Sequence, residues 1–367
     1  MDYALQESGL CEMNSCRFVI CVNPELTRVD MKAVAYRIPG PIERDDALQD
    51  ITLDTPKAEG RDLLVKICAV SVNPVDTKLR RAVAPEGDAW KVLGFDASGV
   101  VEAVGPDAQN FKPGDAVFYA GSLTRPGTNS EFHLVDERIV GRKPCNVNHA
   151  EAAALPLTAI TAWEMLFDRL DVKRPTPQGA DTILIIGGAG GVGSITIQLL
   201  RALTEMTVVA TASRPETQDW VRECGAHHVI DHSQPLASQV EALGRGAPGF
   251  VFSTTQTHRH MADIVELIAP QGRFGLIDDP EALNVMPLKR KSISLHWELM
   301  FTRTLFGTPD IEEQGKLLND VADLVEAGRI HSTATDVAGK IDAKTLRAVH
   351  AQIESGTSRG KIVLEGF

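Results

Sequence analysis

The sequence lacks several features that would each direct the search for function. It has no excess of positive charge, because 37 Lys and Arg residues stand against 49 Asp and Glu residues and give a formal net charge of −12. Such a balance opposes the electrostatic binding of a phosphate backbone, so we expect no nucleic-acid partner. Only six cysteines occur in 367 residues. They are too few for a disulfide framework, which predicts reduced thiols and a cytoplasmic location.

A membrane segment is also missing from the sequence. Residues 182–200 carry no charge and approach the length of a membrane span, but they include five glycines. A buried strand, a glycine turn and the start of a helix explain this stretch better, so we expect no membrane partner. Residues 1–30 have neither the basic start nor the long apolar run of a signal peptide. Because a strand-like alternation begins only at Met31, we interpret residues 1–30 as a flexible leader.

Two textures divide the rest of the chain, whose length suits two domains. From Met31 to about Pro144, short β-rich runs alternate with Gly and Pro, which predicts an all-β region with little helix. A helix-like segment follows from about residue 150, and Pro156 predicts a break in it. Beyond it, strands alternate with glycine turns and helices. That order is typical of a parallel sheet covered on both faces.

The most informative segment is the glycine-rich turn between the strand TILIIG and the next helix. Gly188, Gly190 and Gly193 fit the G-x-G-x-x-G dinucleotide fingerprint. The first glycine permits a tight turn, the second lets the backbone approach a pyrophosphate, and the third packs the helix against the strand. Gly191 and Val192 belong to the helix N-terminus, whose unpaired N–H groups attract phosphates. We therefore predict a dinucleotide-binding site here.

The choice of dinucleotide depends on the end of the second strand of this region. NAD sites carry an acidic residue about 20 positions after the glycines, where it binds the ribose hydroxyls. This sequence has Ser213 and Arg214 there instead. A hydroxyl and a guanidinium suit a 2′-phosphate, so the pattern predicts NADPH as the cofactor. Alternatively, Arg214 only caps the following helix together with Pro215.

Several segments resemble the medium-chain dehydrogenase/reductase superfamily, and together they extend from Met31 to Phe367. They are GFDASGVVEAVG, FKPGDAVFYAG, AAALPLTAITAWEML, GGAGGVG and RGKIVLEGF. The sequence is most similar to the zinc-independent quinone oxidoreductase branch, in particular to the proteins labelled zinc-type alcohol dehydrogenase-like. An α/β fold is thereby implied: a GroES-like β-barrel catalytic domain at residues 31–155 and 306–367, and a doubly wound Rossmann domain at residues 156–305. The resemblance also implies a homodimer, paired through an edge strand near Ile293 to Trp297.

The zinc ligands of this superfamily are absent from the sequence. Where zinc enzymes begin their site with a Cys, this chain has SVNPVDTK with Asn73, and where they have Gly-His-Glu it has Gly94, Phe95 and Asp96. Residues 97–143 contain no cysteine, so the structural-zinc loop is missing too. Because catalytic zinc needs three protein ligands and structural zinc four, we expect no bound metal. A zinc alcohol dehydrogenase is thereby disfavoured.

Hydride transfer to an already electrophilic substrate does not need a metal. A quinone or an alkene conjugated to a carbonyl is such a substrate, and reduced nicotinamide supplies the hydride. The resemblance implies that Asn73 lies beside the nicotinamide and the substrate. Lys78, where related reductases often carry a Tyr, is a candidate proton donor or electrostatic stabiliser, with a surface lysine as the alternative. Tyr119 is a candidate hydrogen-bond donor to the substrate oxygen, with a packed core tyrosine as the alternative.

Further candidates follow from the same resemblance. Thr158 occupies a position that contacts the nicotinamide, with helix capping as the alternative. His232 stands where related NADPH enzymes often carry a Tyr near the 2′-phosphate. Lys361 is a candidate for a cofactor phosphate, although a helix-end or surface role also explains it. Trp297 and Phe301 follow a strand toward the interdomain cleft and are candidates for the substrate pocket, with a core role as the alternative.

The favoured hypothesis is an NADPH-dependent, zinc-free reductase of a small-molecule quinone or enone. One alternative is a non-catalytic NADPH-binding protein, as lens crystallins on this fold are. Another is a reductase of the same fold for a different substrate, such as an acyl thioester. No local pattern names the substrate, because one scaffold hosts many reactions.

Overall fold

The structure is a computed structural model that describes residues 30–176 and 180–367. The expected leader, residues 1–30, lies outside the described residues except for Asp30, where the first strand begins. Within the described ranges, no helix is both long and apolar enough to cross a membrane.

The N-terminal region folds mainly as antiparallel sheet, as its β-rich rhythm predicts. Its strands are β1 (Asp30–Tyr36), β2 (Gln49–Asp54), β3 (Asp62–Ser71), β4 (Lys91–Val92), β5 (Asp96–Val104), β6 (Ala116–Ala120), β7 (Phe132–Asp136) and β8 (Val140–Arg142). The C-terminal strands β15 (Ala334–Gly339) and β16 (Lys361–Glu365) join the larger sheet in the order β15-β16-β3-β5-β6-β8, with β7 also paired to β3. The C-terminal segment therefore completes the N-terminal domain.

One helix, α1 (Pro74–Ala82), interrupts this β domain at a place where little helix is predicted. Pro74 suits the first helical position, because its missing N–H group has no partner there anyway. The backbone N–H of Asn73 donates to the carboxylate of Asp76, three residues into the segment, at 2.8 Å. This contact fixes the helix N-terminus as in a capping box. The sequence therefore contains helix-start signals here, but the surrounding β-rich pattern led to the prediction of little helix.

A parallel sheet follows, as the alternation of strands and helices predicts. Its strands are β9 (Thr182–Ile186), β10 (Thr207–Thr211), β11 (His228–Ile230), β12 (Phe250–Ser253), β13 (Arg273–Leu276) and β14 (Ser294–Trp297), in the order β11-β10-β9-β12-β13-β14. The helices between the first five strands are α4 (Gly191–Leu203), α5 (Pro215–Glu223), α6 (Leu236–Ala242) and α7 (Thr257–Leu267). The strand order reverses at β9, and its carboxyl end is where dinucleotides bind in such sheets. The predicted doubly wound sheet is confirmed.

Helices α2 (His149–Ala153) and α3 (Pro156–Trp163) connect the two sheets, and the helix break expected at Pro156 lies between them. A π-helical turn, residues 164–169, continues α3. The remaining helices are α8 (Thr302–Phe306), α9 (Glu313–Glu326) and α10 (Ala343–Glu354). One apolar core runs from the β domain through α3 into the parallel sheet, and it includes Val65, Ile160 and Ile185. The two domains therefore share a continuous apolar core.

Candidate functional site

The glycine turn after β9 has the geometry that its spacing predicts. A side-chain Cβ at Gly193 would lie 2.3 Å from the carbonyl oxygen of Gly187, so only glycine fits there. At Gly190, by contrast, a Cβ would meet nothing closer than that same oxygen at 3.7 Å. The turn is thus closed against the sheet at Gly193 and open at Gly190. Helix α4 begins at Gly191 and offers its unpaired N–H groups at the open side.

The end of β10 is joined to this turn. The Thr211 hydroxyl oxygen accepts a hydrogen bond from the backbone N–H of Gly187 at 3.0 Å. Ser213 and Arg214 follow directly, and Arg214 is the N-cap residue of α5. Its guanidinium nevertheless reaches outward, where it donates to the carbonyl of Thr357 at 2.6 Å and is 41% exposed. Arg214 therefore begins the helix and also presents its charge beside the predicted ribose position.

A buried polar cluster lies next to the glycine turn, where four segments meet. Its members, which we call the Lys361 cluster, are Asn73, Asp96 and Lys361, each at most 3% exposed. The Lys361 ammonium donates to the Asp96 carboxylate at 3.0 Å, to the carbonyl of Val72 at 3.0 Å and to the Asn73 amide oxygen. The Asn73 amide nitrogen donates to the Asp96 carboxylate at 2.8 Å. Each member thus bonds to the other two.

Two further contacts attach Asp96 to its surroundings. The Ser71 hydroxyl at the end of β3 donates to one carboxylate oxygen at 2.8 Å. The backbone N–H of Leu157, in the first turn of α3, donates to the other at 2.7 Å. Because Asn73 has its amide oxygen on a cation and its amide nitrogen on an anion, its orientation is fixed. Lys361 is turned inward and buried, which excludes a surface role, while its contact with a cofactor phosphate stays a prediction.

The main chain links this cluster to the glycine turn. The backbone N–H of Gly360, one residue before Lys361, donates to the carbonyl of Ala189 at 2.8 Å. Thr158 also lies here: its methyl group would be 3.1 Å from a Cβ at Gly191, while its hydroxyl donates to the carbonyl of Leu155. The sequence-predicted residues Asn73, Thr158, Lys361 and the glycine turn are therefore brought together.

The positions of the missing zinc ligands do not fit a metal. Asn73 is already bonded to an ammonium, and the Phe95 ring packs against the Phe301 ring with centroids 4.9 Å apart. No group of three His, Cys, Asp or Glu side chains within residues 30–176 and 180–367 is arranged to hold a metal ion. The cation at the centre of this oxygen-rich site is the Lys361 side chain, so we derive no step through zinc.

Asp76 is a buried acid that the sequence did not single out as a candidate. It accepts hydrogen bonds from the backbone N–H groups of Asn73 at 2.8 Å and Gly94 at 2.9 Å. Burial raises its pKa to about 7, and the two hydrogen bonds and the Lys361 charge limit the rise. With both oxygens held by the backbone, Asp76 ties α1 to the segment that precedes β5.

Lys78, the candidate proton donor, and Tyr119, the candidate hydrogen-bond donor to the substrate, lie in very different surroundings. The Lys78 ammonium lies 2.7 Å from the carboxylate of Asp279, which follows β13, and both side chains are more than half exposed. Tyr119 is fully buried, with its hydroxyl 3.0 Å from Nδ1 of His133. His133 Nε2 lies 3.0 Å from the carbonyl of Pro126, which assigns the ring proton to Nε2 and makes Tyr119 the donor to Nδ1. Tyr119 thus matches the packed-core alternative.

The remaining candidates lie at the two ends of the cleft. His232 Nδ1 is 3.3 Å from the Thr211 hydroxyl, so it lies beside the end of β10. Phe301 is buried against Phe95, whereas Trp297 is 53% exposed at the end of the edge strand β14. Phe301 thus matches the core alternative in its packing, and the substrate-pocket role of Trp297 and Phe301 stays a prediction.

A glycine turn at the switch point of a doubly wound sheet, beside a GroES-like domain, defines an NAD(P)-binding oxidoreductase fold. Family models agree: the alcohol dehydrogenase GroES-like domain matches residues 59–145, and the zinc-binding dehydrogenase domain matches residues 191–319. The zinc-type alcohol dehydrogenase-like protein SAS2087 of Staphylococcus aureus is 38% identical over 338 residues, which cover 91% of this chain and 99% of that protein. The chain belongs to the medium-chain dehydrogenase/reductase superfamily, which confirms the resemblance.

Solved structures support the same assignment. A protein from Rhizobium etli CFN 42, assigned to the zinc-dependent alcohol dehydrogenases, is 63% identical with a TM-score of 0.91, and the match covers 93% of this chain and 99% of that one. The Escherichia coli quinone oxidoreductase, solved in complex with NADPH, is 21% identical with a TM-score of 0.74 and shares 91% of this chain and 99% of its own. The second match shows the fold alone.

Proposed function

We propose that this chain is an NADPH-dependent, zinc-independent oxidoreductase that transfers a hydride to a quinone or to an alkene conjugated to a carbonyl. The observation that carries the proposal is the Lys361 cluster. In it, Asn73, at the position of the first missing zinc ligand, is bonded to an internal ammonium, and the backbone of the preceding Gly360 is bonded to the glycine turn. An alcohol would lack a Lewis acid at such a site, whereas a quinone or enone is electrophilic without one.

The preference for NADPH rests on the end of β10. Ser213 and Arg214 occupy the place of the acidic residue of an NAD site, and the Arg214 guanidinium is exposed there. A guanidinium binds a phosphate through two parallel hydrogen bonds, whereas an acid would repel it. The complex of the Escherichia coli enzyme with NADPH is consistent with this choice.

Different residues of the site would bind the cofactor, support it and exclude other substrates in such a reaction. When bound, the reduced nicotinamide supplies the hydride. The N-terminus of α4 binds the pyrophosphate, and the rigid Lys361 cluster and the methyl group of Thr158 form the floor beside it. The Phe95–Phe301 pair places an apolar contact where zinc enzymes carry their second ligand, which favours a quinone or enone over a hydrated alcohol.

A proton must follow the hydride to the substrate oxygen or carbon. Tyr119 does not suit this role, because its proton is donated to His133 and burial raises its pKa well above the usual value. Lys78 suits it better, since it is exposed to solvent and bridges to Asp279 of the other domain. We therefore retain Lys78 as the candidate donor.

A homodimer is the assembly that we propose. Five large apolar side chains lie exposed within or close to the edge strand β14, and they are Val285, Met286, Trp297, Leu299 and Phe306. An open strand edge with an apolar surround favours pairing with a second copy. The cytoplasmic location stays a prediction.

The test is NADPH oxidation by the purified protein with 1,4-benzoquinone, an enone and a saturated aldehyde, followed by absorbance. Turnover of the quinone or enone but not of the aldehyde, unchanged by EDTA, is the expected result. Turnover that EDTA abolishes would contradict the metal-free mechanism. NADPH binding without turnover of any of the three would favour the non-catalytic alternative, and turnover of an acyl thioester alone would favour the other one.

A further inference from the structure

Two half-buried histidines lie side by side next to the end of β10. His232 follows β11, and His260 lies in the first turn of α7. Their ring centroids are 6.5 Å apart and the rings meet at 70°. The sequence predicts His232 as a cofactor residue but gives no reason to choose His260. His232 follows β11 and His260 lies in α7 after β12, so only the folded sheet brings the two rings together.

Hydrogen bonds connect His232 to the glycine turn. The Thr211 oxygen already accepts from the N–H of Gly187, so its own proton is available for Nδ1 of His232 at 3.3 Å. With the hydroxyl as the donor, the neutral His232 ring carries its proton on Nε2. His232 is therefore held by the same threonine that shapes the dinucleotide turn.

The charged groups around the pair are mainly basic on the side of the ribose. Burial and then the Arg214 charge lower the pKa of His232, and only Asp231 raises it. Burial lowers the pKa of His260 as well, with His232, Arg259 and His258 adding to the effect and Asp263 opposing it.

Both acids face backbone donors. Asp231 accepts from the N–H of Ser233 at 2.8 Å, and Asp263 accepts from that of Ala237 at 3.2 Å. Within the part of the chain that the structure describes, neither carboxylate has an imidazole as its hydrogen-bond partner. At the end of β10, the charges beside the two rings are Arg214 and Glu216, which pairs with Arg214 at 3.3 Å.

We propose that His232 and His260 complete the 2′-phosphate site of Arg214, and that they do so by taking up a proton when the phosphate binds. This proposal rests on the proposed preference for NADPH and deepens it, because it makes the selectivity between NADPH and NADH depend on pH. His260 is then a residue that determines cofactor selectivity.

The physical reason is the charge of the ligand. A phosphate monoester has its second pKa near about 6, so it is mostly dianionic at neutral pH. A dianion beside the two rings favours their charged form and raises both pKa values. Two imidazolium rings at this separation repel each other, so the pair holds about one added proton. NADH, which has no phosphate at this position, gains nothing from it.

The experiment measures binding of 2′,5′-ADP and of 5′-AMP to the full-length protein by calorimetry, and it needs no turnover. From about pH 6.5 to about pH 8.5, the affinity for 2′,5′-ADP should fall about tenfold, as for the loss of one charge-assisted hydrogen bond. The affinity for 5′-AMP should change less than about twofold, because it lacks the phosphate in question. In buffers of different ionisation enthalpy, 2′,5′-ADP should take up about one proton more than 5′-AMP.

The variants His232→Gln and His260→Gln should each flatten the pH dependence and lower the proton uptake. His258→Gln is the matched control, because His258 is exposed on the same helix and has the smallest of the named charge effects on His260, so its pH profile should stay close to that of the wild type. An unchanged pH profile and proton uptake in His260→Gln would overturn the proposal. If 2′,5′-ADP binds no tighter than 5′-AMP at any pH, the NADPH preference itself fails. Tighter binding that is independent of pH refutes only the role of the histidines.

Discussion

Two buried ionic clusters hold the structure together, and they differ in how their oxygens are satisfied. In the Lys361 cluster, both Asp96 oxygens and the Asn73 amide have partners, and the ammonium makes three contacts. The second cluster lies behind Phe301 and contains Glu164, Glu298 and Arg303. It leaves three buried oxygens without a partner among the described residues, and they are Glu164 Oε2, Glu298 Oε1 and Gln314 Oε1.

A shared proton explains two of these oxygens. Burial raises the pKa of Glu298 to about 9, and the charge of Glu164 contributes to the rise. A protonated Glu298 can donate to Glu164, which pairs one orphan oxygen with another, while Arg169 keeps its contact at 2.8 Å. The first cluster is thus neutralised by a side-chain cation and the second partly by a proton. The stability that the second cluster contributes should therefore depend on pH in the neutral range.

The largest effect should follow from removing the cation of the first cluster. Lys361→Met leaves Asp96 buried without a counter-charge, which should lower the free energy of unfolding by about 3–5 kcal/mol. Urea denaturation measures it. Lys316→Met is the matched control, since Lys316 forms exposed ion pairs on α9 and its loss should leave the free energy of unfolding almost unchanged. A loss in Lys361→Met as small as in the control would show that the cluster is not a stabilising unit.

Glu298→Gln should remove one proton from the pH dependence of stability. The folded pKa is raised to about 9 above the unfolded value of 4.5, so the native state binds the extra proton between these pH values. Stability from this group is therefore fully present below the unfolded pKa and falls as pH rises, by up to about 1.4 kcal/mol per pH unit. The amide can still donate to Glu164, so the variant should fold and its slope should be shallower between about pH 6 and 8.

Urea titrations at several pH values measure this slope. Glu312→Gln, an exposed pair partner of Lys316, is the control and should leave it unchanged. If the slope of Glu298→Gln equals that of the wild type, Glu298 and Glu164 do not share a proton, and the contrast between the two clusters disappears.

Tyr119 and His133 offer an uncharged counterpart to both clusters. Tyr119→Phe leaves Nδ1 of His133 without its donor, which should cost about 1–2 kcal/mol in stability. The reductase kcat should change less than about twofold, because this hydroxyl serves packing rather than chemistry. Tyr36→Phe, which removes a buried hydroxyl from the carbonyl of Val83, is a control of the same kind. A kcat loss in Tyr119→Phe alone would restore Tyr119 as a catalytic residue.

These contrasts show why the sequence revealed one part of the site and not the other. The glycine turn is local: Gly188, Gly190 and Gly193 constrain each other within six residues, so their spacing alone predicts the geometry. The contact between Asp96 and Lys361 spans 265 residues and exists only because β16 pairs with β3. No local pattern records such a pairing, so Lys361 could not be placed at the centre.

The alternation of apolar and polar residues in a strand does not tell which face of the strand a buried residue occupies in the fold. It predicts that Tyr119 is buried in β6 but not whether its face of the strand lines the cleft or the core. For α1, by contrast, the signals Asn73, Pro74 and Asp76 were present, and the β-rich context outweighed them. The doubly wound parallel sheet and the GroES-like domain followed from periodicity and family resemblance, whereas the strand order and the contacts between distant segments required the fold.

The smallest effect on the free energy of unfolding should come from removing an exposed charge. It provides the reference against which the effects in the two buried clusters are compared. Arg214 pairs with Glu216 at 3.3 Å at the surface, so Arg214→Ala should change the free energy of unfolding by at most about 0.5 kcal/mol. Its effect on the cofactor should be larger: the KM for NADPH should rise about tenfold or more, and that for NADH less than about twofold. Arg222→Ala is the control, because Arg222 pairs with Asp219 on the same helix away from β10. An equal rise for both cofactors would remove Arg214 from the 2′-phosphate site, and a large loss of stability would mean that burial is not what distinguishes the two clusters from surface pairs.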